Sequence, residues 1–444
     1  MSSTSGSPLP AATPTREELA RIEVGHTAVS PALARVLTLA FVLAIAVVPV
    51  VEWAGGQQAD ELARGAWGHL TRLPAGVHKG LAGAPPDTSA WRRVVAANRQ
   101  VLAGLRAFED AIDDESILGR TLRRPAQAVM SGALGAGNER VYPGKDGWLF
   151  YRPDVDYVTG EGFLAPAWLR RRTAAAAEWD RLPHPDPRPA IVDFGRSLED
   201  AGVTLIVMPT PVKPGVHPEA LSSAYVASDD VLHNASYGTF VADLRLAGVL
   251  VFDPSEMLAR SARTEPQYLA SDTHWRPEAM EAVADLLGAF ISAHVALPAA
   301  PDPGFRVERT EVRNVGDTAR MLDLPEGSTL FPAEAVWLRR VLMPDGAGWR
   351  SSRGSDVLLL GDSFSNIYSL ESMGWGTSAG FAEQLSLALG RPIDRIVQND
   401  EGAFATRAML QRDAGRLDGV RVVVYQFAAR ELASGDWRVL PMDR

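Results

Sequence analysis

Five short runs of aliphatic and branched residues, set apart by stretches of helical character, constrain this chain more than any other feature. They read GVTLIVMP at 202–209, VLVFDP at 249–254, DVLLL at 356–360, DRIVQN at 394–399 and VRVVVYQF at 420–427. Helical patterns fall at 187–201, 236–247, 277–295 (opened by Pro277) and 380–389. Strands apolar on both faces and alternating with helices predict an α/β sandwich around a mostly parallel sheet. VYPGKDGWLFY at 141–151 combines turn residues with a short aromatic strand and reads as the opening of the main body. The alternation breaks at about 301–352, which reads as an insertion in which FRVERTEVRNV forms one strand pair and AVWLRRVL another.

The N-terminal part has a different texture. Residues 36–51 read VLTLAFVLAIAVVPVV, with Thr38 the only polar side chain. With Leu33, Ala34 and the flank to Trp53, the run approaches the ~20 residues that cross a bilayer. Arg35 lies near one end, where its stem can snorkel, and Pro49 lies near the other. Arg16, Arg21 and Arg35 precede the run and favour a cytoplasmic N-terminus. A buried core helix and a cleaved signal peptide are the other readings. The long polar leader and the lack of a small-x-small cleavage site favour an uncleaved anchor. The chain then divides into a cytoplasmic tail (1–33), a transmembrane signal-anchor (34–54), a helical tether (55–139) and a catalytic domain (140–435). In the tether, Trp91, Val94, Val95, Val101, Leu102, Leu105, Phe108 and Ile112 recur at helical spacing and predict an amphipathic helix.

Composition excludes several chemistries. None of the 444 residues is cysteine, so thiolate nucleophiles, disulfides and cysteine metal sites are ruled out. A net charge of −10 gives no basic footprint for nucleic acid. No glycine-rich phosphate loop is present, and neither metal nor cofactor is expected.

Two loops carry the chemistry. LLLGDSFSNIYS at 358–369 places a glycine turn directly after a buried strand, so that Ser363 stands at the carboxyl edge of the sheet with helix-start N–H groups beside it. The plainer reading is that Asp362 or Ser363 only caps a helix. SDTHW at 271–275 offers His274 as a general base and Asp272 as the carboxylate that orients it. A lone capping histidine is the alternative. Together the loops supply nucleophile, base and orienter. His184, His217, His233 and His294 have no comparable acidic partner in a sharp motif, and His217, which follows a plausible strand, ranks second as a base. Asn399 and Asn366 are candidate oxyanion donors. Lys213, on a loop that could line the mouth of the site, Trp275, Tyr425 and Arg430 are candidate substrate contacts. Trp148, Trp275 and Trp375 could stack on sugar faces, core packing being the plainer role for each.

GKDGWLFY (144–151), SDTHWRPEAM (271–280), VGDTARMLDLP (315–325), LLLGDSFSNIY (358–368) and QFAARELA (426–433) occur in an order that resembles the alginate O-acetyltransferase family, the AlgJ- and AlgX-related proteins. The resemblance covers roughly 140–435. It implies an SGNH-hydrolase-like fold in permuted motif order, with the Asp-His block before the serine block. It also implies catalytic roles for Asp272, His274 and Ser363. Activity follows as O-acetylation of an exported polysaccharide in the periplasm, with acetyl groups delivered by a membrane-bound O-acyltransferase. The same machinery with water as acceptor is a polysaccharide O-acetylesterase. A non-catalytic polysaccharide-binding or assembly protein is the remaining alternative.

Overall fold

The structure is a computed structural model that describes residues 30–55, 66–82, 89–115, 117–174, 183–226, 231–399 and 401–441. The chain divides into two units, one up to Arg123 and the other from Arg124 onward.

The first unit is helical, with helices Pro31–Gly55, Ala66–Ala82 and Ala90–Glu115. The last two pack against each other. Gly104 permits their close approach, since a Cβ there would stand 2.3 Å from Leu73 Cδ2. Among the described residues no helix is long and apolar enough to cross a membrane. The side chains in the second half of the apolar run at 36–51, apart from Ala46, lie outside those residues, as does the segment before residue 30.

Among the described residues the second unit contains nine strands, β1 (Val141–Pro143), β2 (Leu149–Tyr151), β3 (Thr204–Thr210), β4 (Leu250–Val251), β5 (Arg306–Asn314), β6 (Glu334–Leu342), β7 (Val357–Gly361), β8 (Asp394–Val397) and β9 (Val422–Ala428). The main sheet has the order β4-β3-β9-β7-β8, and every pairing in it is parallel. All five runs picked out by their apolar character are therefore strands of one sheet.

Two-residue periodicity explains why those runs are apolar throughout. Ile206, Met208, Val357, Leu359, Val422 and Val424 face one side and pack with Met280, Val283, Leu287 and Leu385 of helices Pro277–His294 and Phe381–Leu389. Leu205, Val207, Leu358, Leu360, Val423 and Tyr425 face the other side. They meet Ile191, Phe194 and Leu198 of helix Pro187–Asp200 and Phe240 and Leu244 of helix Tyr237–Leu246. Each such aliphatic side chain contributes roughly 1.5–3 kcal/mol relative to remaining in water.

The remaining strands form two antiparallel pairs. β1 and β2 are joined by a tight turn in which Asp146 and Gly147 take left-handed φ values of 53° and 82°. β5 and β6 pair over their full length, Arg306 opposite Leu342 and Asn314 opposite Glu334. This corrects the expectation for 301–352: the two segments are one strand each and partner one another. Val336, Leu338 and Val341 of β6 join the core on the first face of the main sheet.

Candidate functional site

The carboxyl ends of the parallel strands bring Ser363, Asn399 and Arg430 into one region, as open α/β sheets do. Ser363 follows β7, Asn399 follows β8 and Arg430 follows β9.

The turn that carries Ser363 is held from several sides. Ser363 is the first residue of helix Ser363–Asn366, and Asp362 caps it by accepting the Phe364 N–H at 2.9 Å. Asp362 also accepts from Gln426 Nε2 at 2.9 Å and from the Ala428 N–H at 2.6 Å, which ties the turn to β9. Gln426 Oε1 in turn accepts from the Asp362 N–H at 3.1 Å and from Ser365 Oγ at 2.7 Å. Capping thus belongs to Asp362, and the Ser363 hydroxyl is left at the half-buried surface of the site. Gly361 must lack a side chain, because a Cβ there would lie 2.4 Å from Ser365 Oγ and 2.7 Å from Ser365 Cβ. Gly361→Ala is expected to displace this turn, costing about 1–3 kcal/mol of stability through overpacking and roughly 100-fold in activity through misplacement of Ser363. Denaturant melts and steady-state rates on the same variant check both.

The second loop supplies a buried imidazole. His274 Nδ1 lies 2.7 Å from Asp272 Oδ1, and both residues are buried. Asp272 Oδ1 also accepts the His274 N–H at 3.1 Å. Its Oδ2 accepts the Asp317 N–H and the Trp375 indole N–H, each at 2.9 Å. Burial disfavours the Asp272 charge, but the His274 bond and charge, the Asp317 N–H and the Trp375 indole outweigh it and hold the carboxyl well below the usual range. An ionised Asp272 fixes the His274 proton on Nδ1. Nε2 is then the acceptor, and it is buried with no hydrogen-bond partner among the described residues. Burial also disfavours the charge of His274, yet the bond to and charge of Asp272, with the charge of Asp317, raise its pKa.

The two loops meet through Phe364, the neighbour of Ser363. The His274 and Phe364 ring centroids are 4.8 Å apart, and Trp275 Nε1 donates to the Phe364 carbonyl at 3.1 Å. Ser363, Asp362, Asn399, Tyr425, Gln426 and Arg430 line a small cleft that opens to solvent.

The other candidates separate clearly. Asn366 Nδ2 donates to Asn399 Oδ1 at 2.9 Å, and among the described residues Asn399 Nδ2 meets the weak acceptor Met373 Sδ at 3.5 Å. Asn399 therefore turns its amide N–H₂ away from Asn366 and remains the better-placed donor in the cleft. Arg430 is tied to the buried Asp154 at 3.0 Å and lies over the Phe364 ring with its guanidinium carbon 5.8 Å from the centroid. Tyr425 lines the cleft, but its hydroxyl is committed to the Ala403 carbonyl.

Three expectations need correction. Lys213 does not line a mouth: it is fully buried, and Nζ donates to the carbonyls of Leu149 at 2.5 Å and Ala270 at 3.1 Å. These carbonyls offset the cost of its burial, which lowers its pKa to about 8. Trp275 and Trp375 are both fully buried and present no face to a sugar. His217 does have an acidic partner, Glu219 Oε1 at 3.1 Å from Nδ1, while Nε2 accepts the Gln267 N–H at 3.0 Å. Both its nitrogens are occupied, so it is not a free base.

The residue that inspection of the loops missed is Asp317. Its Oδ2 lies 3.7 Å from His274 Nδ1 and its Oδ1 accepts from Thr273. The available signal was the VGDTARM segment, which contributed only to the family resemblance.

A parallel sheet with a serine turn at its carboxyl edge, packed beside a loop that holds an Asp-His pair, matches the SGNH-hydrolase-like class of fold. The family model described as "SGNH hydrolase-like domain, acetyltransferase AlgX" matches residues 141–429, and the chain belongs to that family. As an enzyme it is an O-acetyltransferase of that class. It is 27% identical over 347 residues to the Pseudomonas aeruginosa protein named probable alginate O-acetylase AlgJ, covering 76% of this chain and 82% of that one. It is 25% identical over 342 residues to the Pseudomonas syringae pv. tomato protein of the same name, covering 76% of this chain and 81% of that one. The solved O-acetyltransferase domain of Pseudomonas putida AlgJ shares the fold, with a TM-score of 0.51 and 23% identity over 67% of this chain and 93% of that domain.

Proposed function

We propose that this chain transfers acetyl groups to hydroxyls of an exported polysaccharide through an acetyl-Ser363 intermediate. The observation that carries the reading is the buried Nε2 of His274. It is unpartnered among the described residues, held in the acceptor tautomer by Asp272, and belongs to a ring packed on the neighbour of Ser363. A buried acceptor without a partner is costly, and a serine hydroxyl or the hydroxyl of an incoming sugar satisfies it.

In the first half-reaction Ser363 Oγ bonds to the acetyl carbonyl carbon while its proton passes to His274 Nε2. Asn399 Nδ2 and the Ser363 N–H, which no carbonyl of its own helix can accept, serve the oxyanion. The bond from the carbonyl carbon to the donor's leaving group breaks, and the imidazolium returns the proton to that group. In the second half-reaction a sugar hydroxyl attacks the acetyl-serine, its proton passes to Nε2, and Ser363 Oγ leaves and recovers it. Arg430 offers positive charge to the substrate in the same cleft.

The names of the relatives support a polysaccharide acceptor, alginate being the polymer those names give. The apolar run at 36–51 supports anchoring in the inner membrane with the catalytic unit in the periplasm and the acetyl donor supplied by a membrane-bound O-acyltransferase. The open cleft favours a second reading, the O-acetylesterase. Incubating the full chain with an activated acetyl ester and a panel of bacterial oligosaccharides separates the two. Acetylated sugar supports the transferase, whereas acetate release with no sugar product under every acceptor supports the esterase.

The reading also fixes a pH dependence. Neutral His274 is the active form and its pKa is raised, so the rate falls as pH drops through a value above the ordinary imidazole ~6.5. A kcat/KM profile between pH 5 and 9 checks this, the expected acid limb lying above 6.5.

A further inference from the structure

We propose that Asp317 is a positioning residue for His274, clamping the 271–274 loop through Thr273 and setting a second carboxylate beside Nδ1. The inference rests on the serine reading above and assigns the residue that holds its base. Asp317 Oδ1 accepts both the Thr273 N–H at 2.7 Å and Thr273 Oγ1 at 3.1 Å. Thr273 is the residue between Asp272 and His274, so this pair of bonds sets the angle between carboxylate and imidazole. The Asp317 N–H donates to Asp272 Oδ2 at 2.9 Å, fixing the other oxygen of the same carboxylate. The turn is seated closely: the Ala319 N–H donates to the Ser271 carbonyl at 3.2 Å, and a Cβ on Gly316 would lie 2.0 Å from that oxygen. The chain thus brings a segment more than 40 residues downstream to lock the base loop.

The free oxygen, Oδ2, lies 3.7 Å from His274 Nδ1, too far for a hydrogen bond but close enough to act by charge. Other charged groups acting on this cluster are Asp272, which shares the imidazole, Asp154, whose charge favours protonation of His274, Arg430, which opposes it, and the buried Lys213, which favours the carboxylates of Asp272 and Asp317. Burial and the adjacent Asp272 charge raise the Asp317 pKa to about 6, while Asp272 itself stays ionised in that range.

Two substitutions separate clamp from charge. Asp317→Asn keeps an acceptor for Thr273 and removes the negative charge. With that charge gone, imidazolium is less favoured, so the acid limb of kcat/KM is expected to move to lower pH, by up to about one unit. Asp317→Ala removes the clamp as well and is expected to lower kcat roughly tenfold or more with KM little changed, because orientation is lost and binding is not. Both are assayed on the full chain with a chromogenic acetyl ester, beside Ser363→Ala. Ser363→Ala inactive, with a shifted limb in Asp317→Asn and a kcat loss in Asp317→Ala, supports the assignment. Ser363→Ala inactive, with Asp317→Asn matching the native pH profile, overturns this inference alone. Full activity in Ser363→Ala overturns the serine reading and this inference with it.

Discussion

Ser363→Ala is expected to lower kcat/KM for acetyl transfer by roughly 10⁴-fold or more while the protein remains folded. The turn does not depend on that hydroxyl: Asp362 makes the cap, and the Gln426 amide binds Asp362 and Ser365. The stability change is therefore within about 0.5 kcal/mol, as for other substitutions that break no buried contact. A parallel loss of activity and stability would point instead to a structural serine. Equal loss of transfer to sugar and of acetate release is expected, since both products descend from one acylated enzyme.

The second large effect is expected at Asp272. Asp272→Asn keeps the shape but offers only one acceptor oxygen where the carboxylate serves His274, the Asp317 N–H and the Trp375 indole with two. An amide N–H₂ facing His274 Nδ1 would drive the imidazole proton to Nε2, which removes the base. The expected loss is roughly 10⁴-fold in kcat, with about 1–3 kcal/mol of stability lost to unsatisfied buried donors. The pH dependence of stability gives a separate readout. Asp272 is depressed in the folded state, so it contributes stability that is present above the unfolded carboxyl value near 3.9 and lost as pH falls through the folded one. Acid melts of Asp272→Asn should accordingly lose part of the native protein's acid sensitivity.

The sheet was legible because a doubly buried parallel strand leaves a continuous apolar run. Residues 356–360 and 420–427 coincide with β7 and β9 to within one or two residues. The β5–β6 pair was not legible as a pair, because β5 keeps charged side chains in solvent along most of its length and its partner lies beyond a turn and a short helix. At the site, Ser363 stood out by its place directly after a strand, and Asp272 and His274 by residue type and spacing in the loop before a helix. What the sequence hid was direction. Lys213 follows a strand as a surface lysine would, yet two inward-facing carbonyls draw it into the interior. Trp275 sits beside the base, yet its indole bonds the Phe364 carbonyl and so braces the serine turn. Asp317 becomes a neighbour of His274 only after a turn 44 residues from Thr273 folds back over the loop.

The central claim is that Ser363 carries the acetyl group between donor and sugar. Its most direct test is rapid quenching of the full chain after a pulse of acetyl donor, with peptide mapping by mass spectrometry, followed by a chase with an accepting oligosaccharide. The account predicts an acetyl group on Ser363 that disappears during the chase as acetylated sugar appears. Acetylated sugar formed at an undiminished rate by Ser363→Ala, with no acetyl group ever found on the native serine, would contradict it.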